Sequence, residues 1–278
     1  MDKQLAVHLK LPHLACFAAL AVGAITGCGS SRQDAGRTMF RVLTINVQHG
    51  DSADSRIDSR RIADVIKEIK PDLVALQGIR RSVVQSETFD ILTTLSDLTG
   101  MTYAFGEIRA ENGQRHGNGF LTNHPILEER NTLYPAGTSG KENGLLQLLL
   151  EVRGSEVRVL NTHLADDQVS GSDLRGQAVE LKNLVRLNLR PPILVLGSSG
   201  RSSGSDAIAS LKEILDDGWE RAGTGQGFTF PAENPVERAD FVFFSPGRPG
   251  FRAVLARVLE APSPAHLPLM VEFELVAN

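Results

Sequence analysis

The stretch "DSRRIADVIKEIKPDLVALQ", residues 58–77, decides the fold class. Ile62, Val65, Ile66 and Ile69 recur at i, i+3, i+4 and i+7, which places them on one face of a helix over 58–70. Asp58 is the expected N-cap, and Pro71 stands just past the expected end. "DLVALQ" (72–77) then runs apolar without alternation, the pattern of a short strand covered on both faces. A helix that hands over directly to a buried strand is the repeating unit of an α/β fold.

The same alternation continues on both sides. "RVLTINVQ" (41–48) reads as the preceding strand, and a helix is expected over 87–98. Strands are expected at "GFLTN" (119–123), "LLQLLLEV" (145–152) and "VRVLNTHL" (157–164). A helix over 172–188, the strand "PILVL" (192–196) and a helix over 205–216 follow. "DFVFFS" (240–245), "FRAVLARVL" (251–259) and "LPLMVEFEL" (267–275) close the chain as strands. No linker divides this series, so residues 39–278 are expected to form one α/β domain with mixed sheets inside and helices outside.

The first residues are of another kind. "MDKQLAVHLK" carries Lys3 and Lys10 and leads into the uncharged run Leu14 to Ile25. That run is short of the ~20 apolar residues needed to span a bilayer, and its weakly positive start is that of a secretory signal. Its end, Ile25-Thr26-Gly27-Cys28, resembles a bacterial lipobox. A signal peptide over 1–27, lipidation of Cys28 and a flexible tether over 28–38 are therefore expected, with the protein exported and held to the bacterial cell envelope through its lipid. Loss of Cys16 with the signal leaves no cysteine pair for a disulfide. With 41% hydrophobic and 22% charged residues, the chain has an ordinary globular composition. A formal net charge of −4 argues against nucleic acid as the partner, because phosphate contacts call for a basic surplus.

Polar residues interrupt the strand ends at Asn46, His163, Asp240 and His266. Each by itself reads as turn chemistry or a structural histidine. In this order, and with their surroundings, they resemble the endonuclease/exonuclease/phosphatase superfamily, the deoxyribonuclease- and sphingomyelinase-like metal-dependent phosphodiesterases. "RVLTINVQHG" resembles the opening strand with its Asn, here Asn46. "RIADVIKEIKPDLVALQ" is similar to the helix and strand that lead to a Gln-Glu pair. "HGNGFLTNHPI" resembles the Gly-Asn-x-x-x-Ser-x-x-Pro-Ile segment, and "VLNTHL" the Thr-His-Leu motif. "PILVLGSSG" stands where the family has Gly-Asp-x-Asn, "TFPAENPVERADFVFF" is similar to the segment of the orienting Asp, and "SPAHLPLMVEFEL" resembles the closing Ser-Asp-His strand. The resemblance runs from Phe40 to about Leu275 and implies a four-layer α/β sandwich, two packed mixed β-sheets flanked by helices.

The resemblance also implies a site, and here the chain departs from the family. The family's metal-binding Glu is Gly78, the Asp and Asn of Gly-Asp-x-Asn are Ser198 and Gly200, and the Asp of Ser-Asp-His is Ala265. Magnesium takes oxygen ligands, above all carboxylates, and these are the ones missing. What remains is Asn46, the two phosphate-contacting histidines His163 and His266, and Asp240, which orients His266. Loss of one oxyanion-type donor alone costs about 3–4 kcal/mol, and each 1.36 kcal/mol is about tenfold in rate. The expectation is a non-catalytic, lipid-anchored domain with no cofactor, binding a phosphate-bearing ligand or an envelope protein. The alternative is an active phosphodiesterase whose Mg2+ or other divalent ion is held by relocated ligands, drawn from Asp51, Asp54, Asp166, Asp167, Asp173 and Glu111. A metal-free serine hydrolase using Ser198 or Ser199 with His163 or His266 and Asp240 has the residue types but lacks the Gly-x-Ser-x-Gly elbow. "GSSGRSSGSD" otherwise reads as a loop with a helix cap at Ser203 or Ser205, and Trp219 as a packing residue.

Overall fold

Two six-stranded sheets face one another, and the strand types expected from sequence supply most of both. The computed structural model describes residues 38–47, 55–82, 90–135, 137, 143–165, 167–188, 190–199, 204–247, 249–260 and 265–276. The signal peptide, Cys28 and the tether up to residue 37, together with Asp51, Asp54, Asp166 and Gly200, lie outside the described residues, as do the side chains of Asp58 and Asp167. The first sheet contains β1 (Thr38–Asn46), β2 (Leu73–Ser82), β3 (Thr102–Glu111), β4 (Gln114–Thr122), β11 (Gly250–Val258) and β12 (Leu269–Val276), in the order β11-β12-β1-β2-β4-β3. The second contains β5 (Ile126–Leu133), β6 (Gly144–Val152), β7 (Ser155–His163), β8 (Ile193–Ser198), β9 (Asp216–Asp217) and β10 (Asp240–Phe244), in the order β5-β6-β7-β8-β10-β9. Within each sheet one pair is parallel, β1 with β2 and β7 with β8, and the rest are antiparallel. Parallel neighbours need a long crossover. The helices α1 (Ser55–Ile69) and α3 (Asp167–Leu187) provide it.

Period-two alternation sorts the side chains into layers. Phe40, Val42, Leu73, Ala75, Phe120, Val271 and Phe273 of the first sheet meet Leu146, Leu148, Val157, Val159, Leu194, Leu196, Val242 and Phe244 of the second in a fully apolar centre. The other face of the first sheet, with Leu43, Ile45, Val74 and Leu76, is covered by Ile62 and Ile66 of α1 and by Leu92 and Leu95 of α2 (Ile91–Thr99). The other face of the second, with Leu160, Ile193 and Val195, is covered by Leu174, Ala178 and Leu181 of α3 and by Ile208 and Leu211 of α4 (Asp206–Leu211). These layers make the four-layer sandwich, and residues Arg37–Asn278 form one compact unit.

Departures from the sequence reading have identifiable causes. β3 and β5 were not expected, and both are edge strands: "ILEERNTL" of β5 is largely exposed and charged, as edges are when they must not recruit another chain. α1 starts at Ser55, so Asp58 lies inside the helix and is not its cap. Its far end agrees with Pro71: Lys70 takes a left-handed φ of 51° and its N–H bonds to Ile66 O. α3 begins at Asp167 and is kinked at Ser170. β2 runs five residues past the expected Gln77, to Ser82, through a bulge at Gly78 (φ 70°). α4 ends at Leu211 and is capped by Ser205, whose Oγ accepts from Ile208 N at 3.3 Å. Trp219 lies in the short α5 (Gly218–Ala222) and packs on the central core, its ring resting on Gly223 and Gly227.

Gly197 shows how closely β7 and β8 approach. A Cβ at that position would lie 2.1 Å from Thr162 O, a backbone atom that cannot turn aside. Gly197→Ala is expected to force these strands apart and lower stability by about 2 kcal/mol, which thermal unfolding reads as a fall in Tm of roughly 4–8 °C.

Candidate functional site

Along the inner face of each strand the apolar sequence stops at the same end of the sandwich. On β1, Phe40 and Val42 give way to Thr44 and Asn46; on β7, Val157 and Val159 give way to Asn161 and His163; on β8, Leu194 and Leu196 give way to Ser198. Register aligns these residues. Asn46 stands beside Gln77 of β2, and Ser198 is flanked by His163 of β7 and Asp240 of β10. Asn46, Gln77, Asn161, Ser198, Asp240 and His266 are all at most 2% exposed. Polar side chains at that depth need partners, because an unmet donor or acceptor costs about 1–3 kcal/mol.

The partners cross from sheet to sheet. Gln77 Nε2 donates to Asn161 Oδ1 at 2.8 Å, and Asn161 Nδ2 donates to the carbonyls of Leu76 at 3.0 Å and Gly119 at 2.8 Å. Asn46 Nδ2 donates to Ser198 Oγ at 2.8 Å and meets His266 Nε2 at 3.4 Å. His266 Nδ1 lies 2.8 Å from Asp240 Oδ2. This assigns the ring proton to Nδ1, donated to Asp240, and leaves Nε2 to accept from Asn46. Asp240 is positioned from behind by Thr229, whose Oγ1 accepts from Ala239 N at 3.1 Å and Asp240 N at 3.3 Å. The Phe230 ring packs against the His266 ring, 4.8 Å between centroids. Asp240 Oδ1 is buried and has no hydrogen-bond partner among the described residues.

The structure thus gathers four sequence-selected residues, Asn46, Ser198, Asp240 and His266, into one hydrogen-bonded chain. His163 stands beside Ser198 in the ladder and is partly exposed. Gly78 is at the β2 bulge, one residue beyond Gln77, and Ala265 adjoins His266 with its carbonyl accepting from Ala232 N at 3.0 Å. Gln77, Asn161 and Thr229 were not singled out from sequence. The available signal was an amide or hydroxyl at an inward position of an otherwise apolar strand. The relocated-ligand candidates that are described stand apart from one another: Glu111 is exposed at the end of β3, and Asp173 is buried on α3 against Gly137. Nor is a serine triad assembled: the histidine paired with Asp240 meets Asn46, while Ser199 is tied to Ala239 through its N–H, 3.0 Å from the carbonyl.

Divalent ions such as Mg2+ demand several oxygen ligands, mostly carboxylates. The described site offers one carboxylate, Asp240, with one oxygen taken by His266. Gly78 and Ala265 bring no side-chain donor, and Asn46 turns its Nδ2 to Ser198. Among the described residues no three His, Cys, Asp or Glu are grouped to hold a metal ion. This donor set does not fit the ion. What the described side chains offer is hydrogen bonding by an amide, a hydroxyl and imidazoles. A double-mutant cycle of Asp240→Ala and His266→Ala, read by urea unfolding, is expected to give a coupling of about 1–3 kcal/mol, because either single change strands a buried partner. Additive single-mutant losses would mean the pair is not formed.

No curated protein matches the sequence. Solved structures do match in fold. An endonuclease/exonuclease/phosphatase family protein from Bacteroides thetaiotaomicron is 17% identical with a TM-score of 0.71, covering 86% of this chain and 98% of that one. A Beutenbergia cavernae endonuclease/exonuclease/phosphatase is 21% identical with a TM-score of 0.71, covering 86% and 72%. A mannosyl-6-phosphatase from Bacteroides thetaiotaomicron is 17% identical with a TM-score of 0.68, covering 84% and 99%. The model of the Endonuclease/Exonuclease/phosphatase family matches residues 43–263, a span that runs from the second half of β1 through β11 and includes Asn46, His163, Ser198 and Asp240. On that match, the chain belongs to the endonuclease/exonuclease/phosphatase family.

Proposed function

We propose that this protein is a non-catalytic member of its family, anchored to the bacterial envelope by a lipid on Cys28, whose cleft binds a phosphate-bearing ligand. The observation that carries the reading is the bond from Asn46 Nδ2 to Ser198 Oγ. At the position where the resemblance puts a catalytic Asp, a neutral hydroxyl accepts from the neighbouring amide. With Gly78 and Ala265 also lacking carboxylates, Asp240 is the one carboxylate among the described residues of the site, too few to hold a Lewis-acidic ion. Hydrogen-bonding side chains without a metal suit binding: Asn46 Nδ2 can turn an N–H from Ser198 to a phosphate oxygen, a protonated phosphate oxygen can donate to His266 Nε2, His163 stands alongside, and bonds to an anion are the stronger kind.

Calorimetric titration with Mg2+, Mn2+ and Ca2+ is expected to show no tight cleft site, and bis-(p-nitrophenyl) phosphate to go uncleaved. EDTA-sensitive cleavage would overturn the reading in favour of relocated ligands. Restoring Gly78→Glu, Ser198→Asp, Gly200→Asn and Ala265→Asp together is expected to create divalent-ion binding. It will also lower stability, since a Glu at the φ of 70° held by Gly78 costs about 1–2 kcal/mol. For the anchor, Cys28→Ser is expected to abolish labelling with a radioactive fatty acid and to move the protein out of the membrane fraction; unchanged labelling would exclude Cys28 as the lipid site.

A further inference from the structure

The outward face of the second sheet carries one residue out of keeping with its neighbours. Leu146, Leu148 and Leu150 of β6 point into the central core, so Leu145, Gln147 and Leu149 point the other way. Leu145 belongs to the outer core with Leu160 of β7 and with Leu174 and Leu181 of α3. Gln147 stands in this leucine layer at 5% exposure, opposite Leu160 on one side and Arg130 of β5 on the other. Its amide has no hydrogen-bond partner among the described residues. A leucine at this position would extend the layer, whereas a buried amide left unmet works against folding. A local choice that conflicts with the fold is the mark of a functional position.

Gln147 lines a cavity of about 390 Å³ bounded by β5, β6, β7 and the flank of α3. On the next row of the ladder, Glu128 of β5 and Arg158 of β7 stand on either side of Leu149. Arg158 Nη2 lies 3.5 Å from Glu128 Oε2, and Arg158 Nε is buried with no hydrogen-bond partner among the described residues. Gln147 and Arg158 are diagonal neighbours on one face, close enough for long side chains to share a ligand. The floor of the cavity therefore presents an amide and a guanidinium. Its rim carries the exposed carboxylates of Glu128 and of Glu180 from α3. Arg130 and Arg158 balance these two carboxylates, so the charges of the lining cancel. A phosphate dianion would be repelled by the rim, and a simple amine would leave the floor donors unmet. A ligand with both signs of charge and no net charge matches the whole set.

We propose that this cavity is a second binding site, separate from the cleft, for a small zwitterion of the amino-acid or dipeptide kind. The carboxylate of the ligand accepts from Gln147 Nε2 and Arg158 Nε on the floor, and its ammonium group lies toward Glu128 and Glu180. The cleft residues bond to one another between the two sheets, whereas Gln147 faces away from the first sheet. The site therefore does not depend on the reading of the cleft as a phosphate-binding site.

Alanyl-alanine serves as the probe, titrated calorimetrically beside its N-acetyl form, its C-terminal amide and glucose. The free dipeptide is expected to bind about tenfold more tightly than either blocked form, each of which lacks one charge-assisted contact, and glucose is expected not to bind. Excess inorganic phosphate should leave the dipeptide affinity unchanged. Gln147→Leu is expected to weaken dipeptide binding about tenfold while holding or raising Tm, because it completes the leucine layer. Glu180→Gln should narrow the preference over the N-acetyl form, and Arg257→Gln, on β11 of the other sheet, should change nothing. Equal affinity for free and blocked dipeptides, competition by phosphate, tighter binding of glucose, or no binding at all would overturn the proposal. So would a Gln147→Leu protein that binds as before, or one whose Tm falls.

Discussion

The amide of Asn161 joins the two halves of this molecule. From β7 it accepts from Gln77 and donates to the carbonyls of Leu76 and Gly119, so one side chain holds two strands of the opposite sheet. Two apolar faces alone can slide and settle at several spacings, because hydrophobic burial is non-directional. Buried hydrogen bonds are directional, and breaking them at zero exposure is costly. Once Asn161 and Gln77 fix the approach of β2 to β7, the ends of β1 and β8 come close enough for Asn46 to reach Ser198. The core thus ends in a polar seam rather than fading into solvent, and the cleft residues are part of that seam.

The same arrangement is compatible with the proposed non-catalytic role. In a metal site, carboxylates repel one another until an ion neutralises them. Here the buried polar residues hold one another. Asp240 still engages His266, Phe230 still packs on the ring, and Thr229 still supports the start of β10. At the position of the family's base, Ser198 gives Asn46 an uncharged acceptor. Glycine at position 78 suits the left-handed backbone of its bulge, which a side chain would strain. Gly78 and Ser198 thus each fit the fold, whereas clustered carboxylates without an ion would repel one another.

Legibility in the sequence followed burial. β2, β6, β7, β8 and β10 lie inside sheets and form nearly continuous apolar runs, so their existence could be read directly, with boundaries off by a few residues. β3 and β5 were missed because an edge strand pairs on one side only and can fill its exposed positions with charge. The start of α1 was missed because Asp58 is a good cap type but lies inside the helix, which begins at Ser55. Among the site residues, Asn46, His163, Asp240 and His266 could be found through ordered motif resemblance. Asn161 and Gln77 could not, because a polar residue within a strand says nothing by itself about whether it faces water or another sheet.

The sequence alone determined the alternation of helix and strand, the family resemblance, and the uncharged residues at Gly78, Ser198 and Ala265, since these depend on residue type and order. Only the tertiary structure decided which side chains meet. Asn46 and Ser198 are 152 positions apart, and their bond exists because two separately built sheets stop turning apolar at the same end. The register of β2 and β3 on β4 likewise shifts at two bulges, between Leu76 and Ile79 and between Glu107 and Arg109, that no local pattern encodes. Side-chain identity is a property of the chain, whereas mutual distance at that separation is set by how the layers pack.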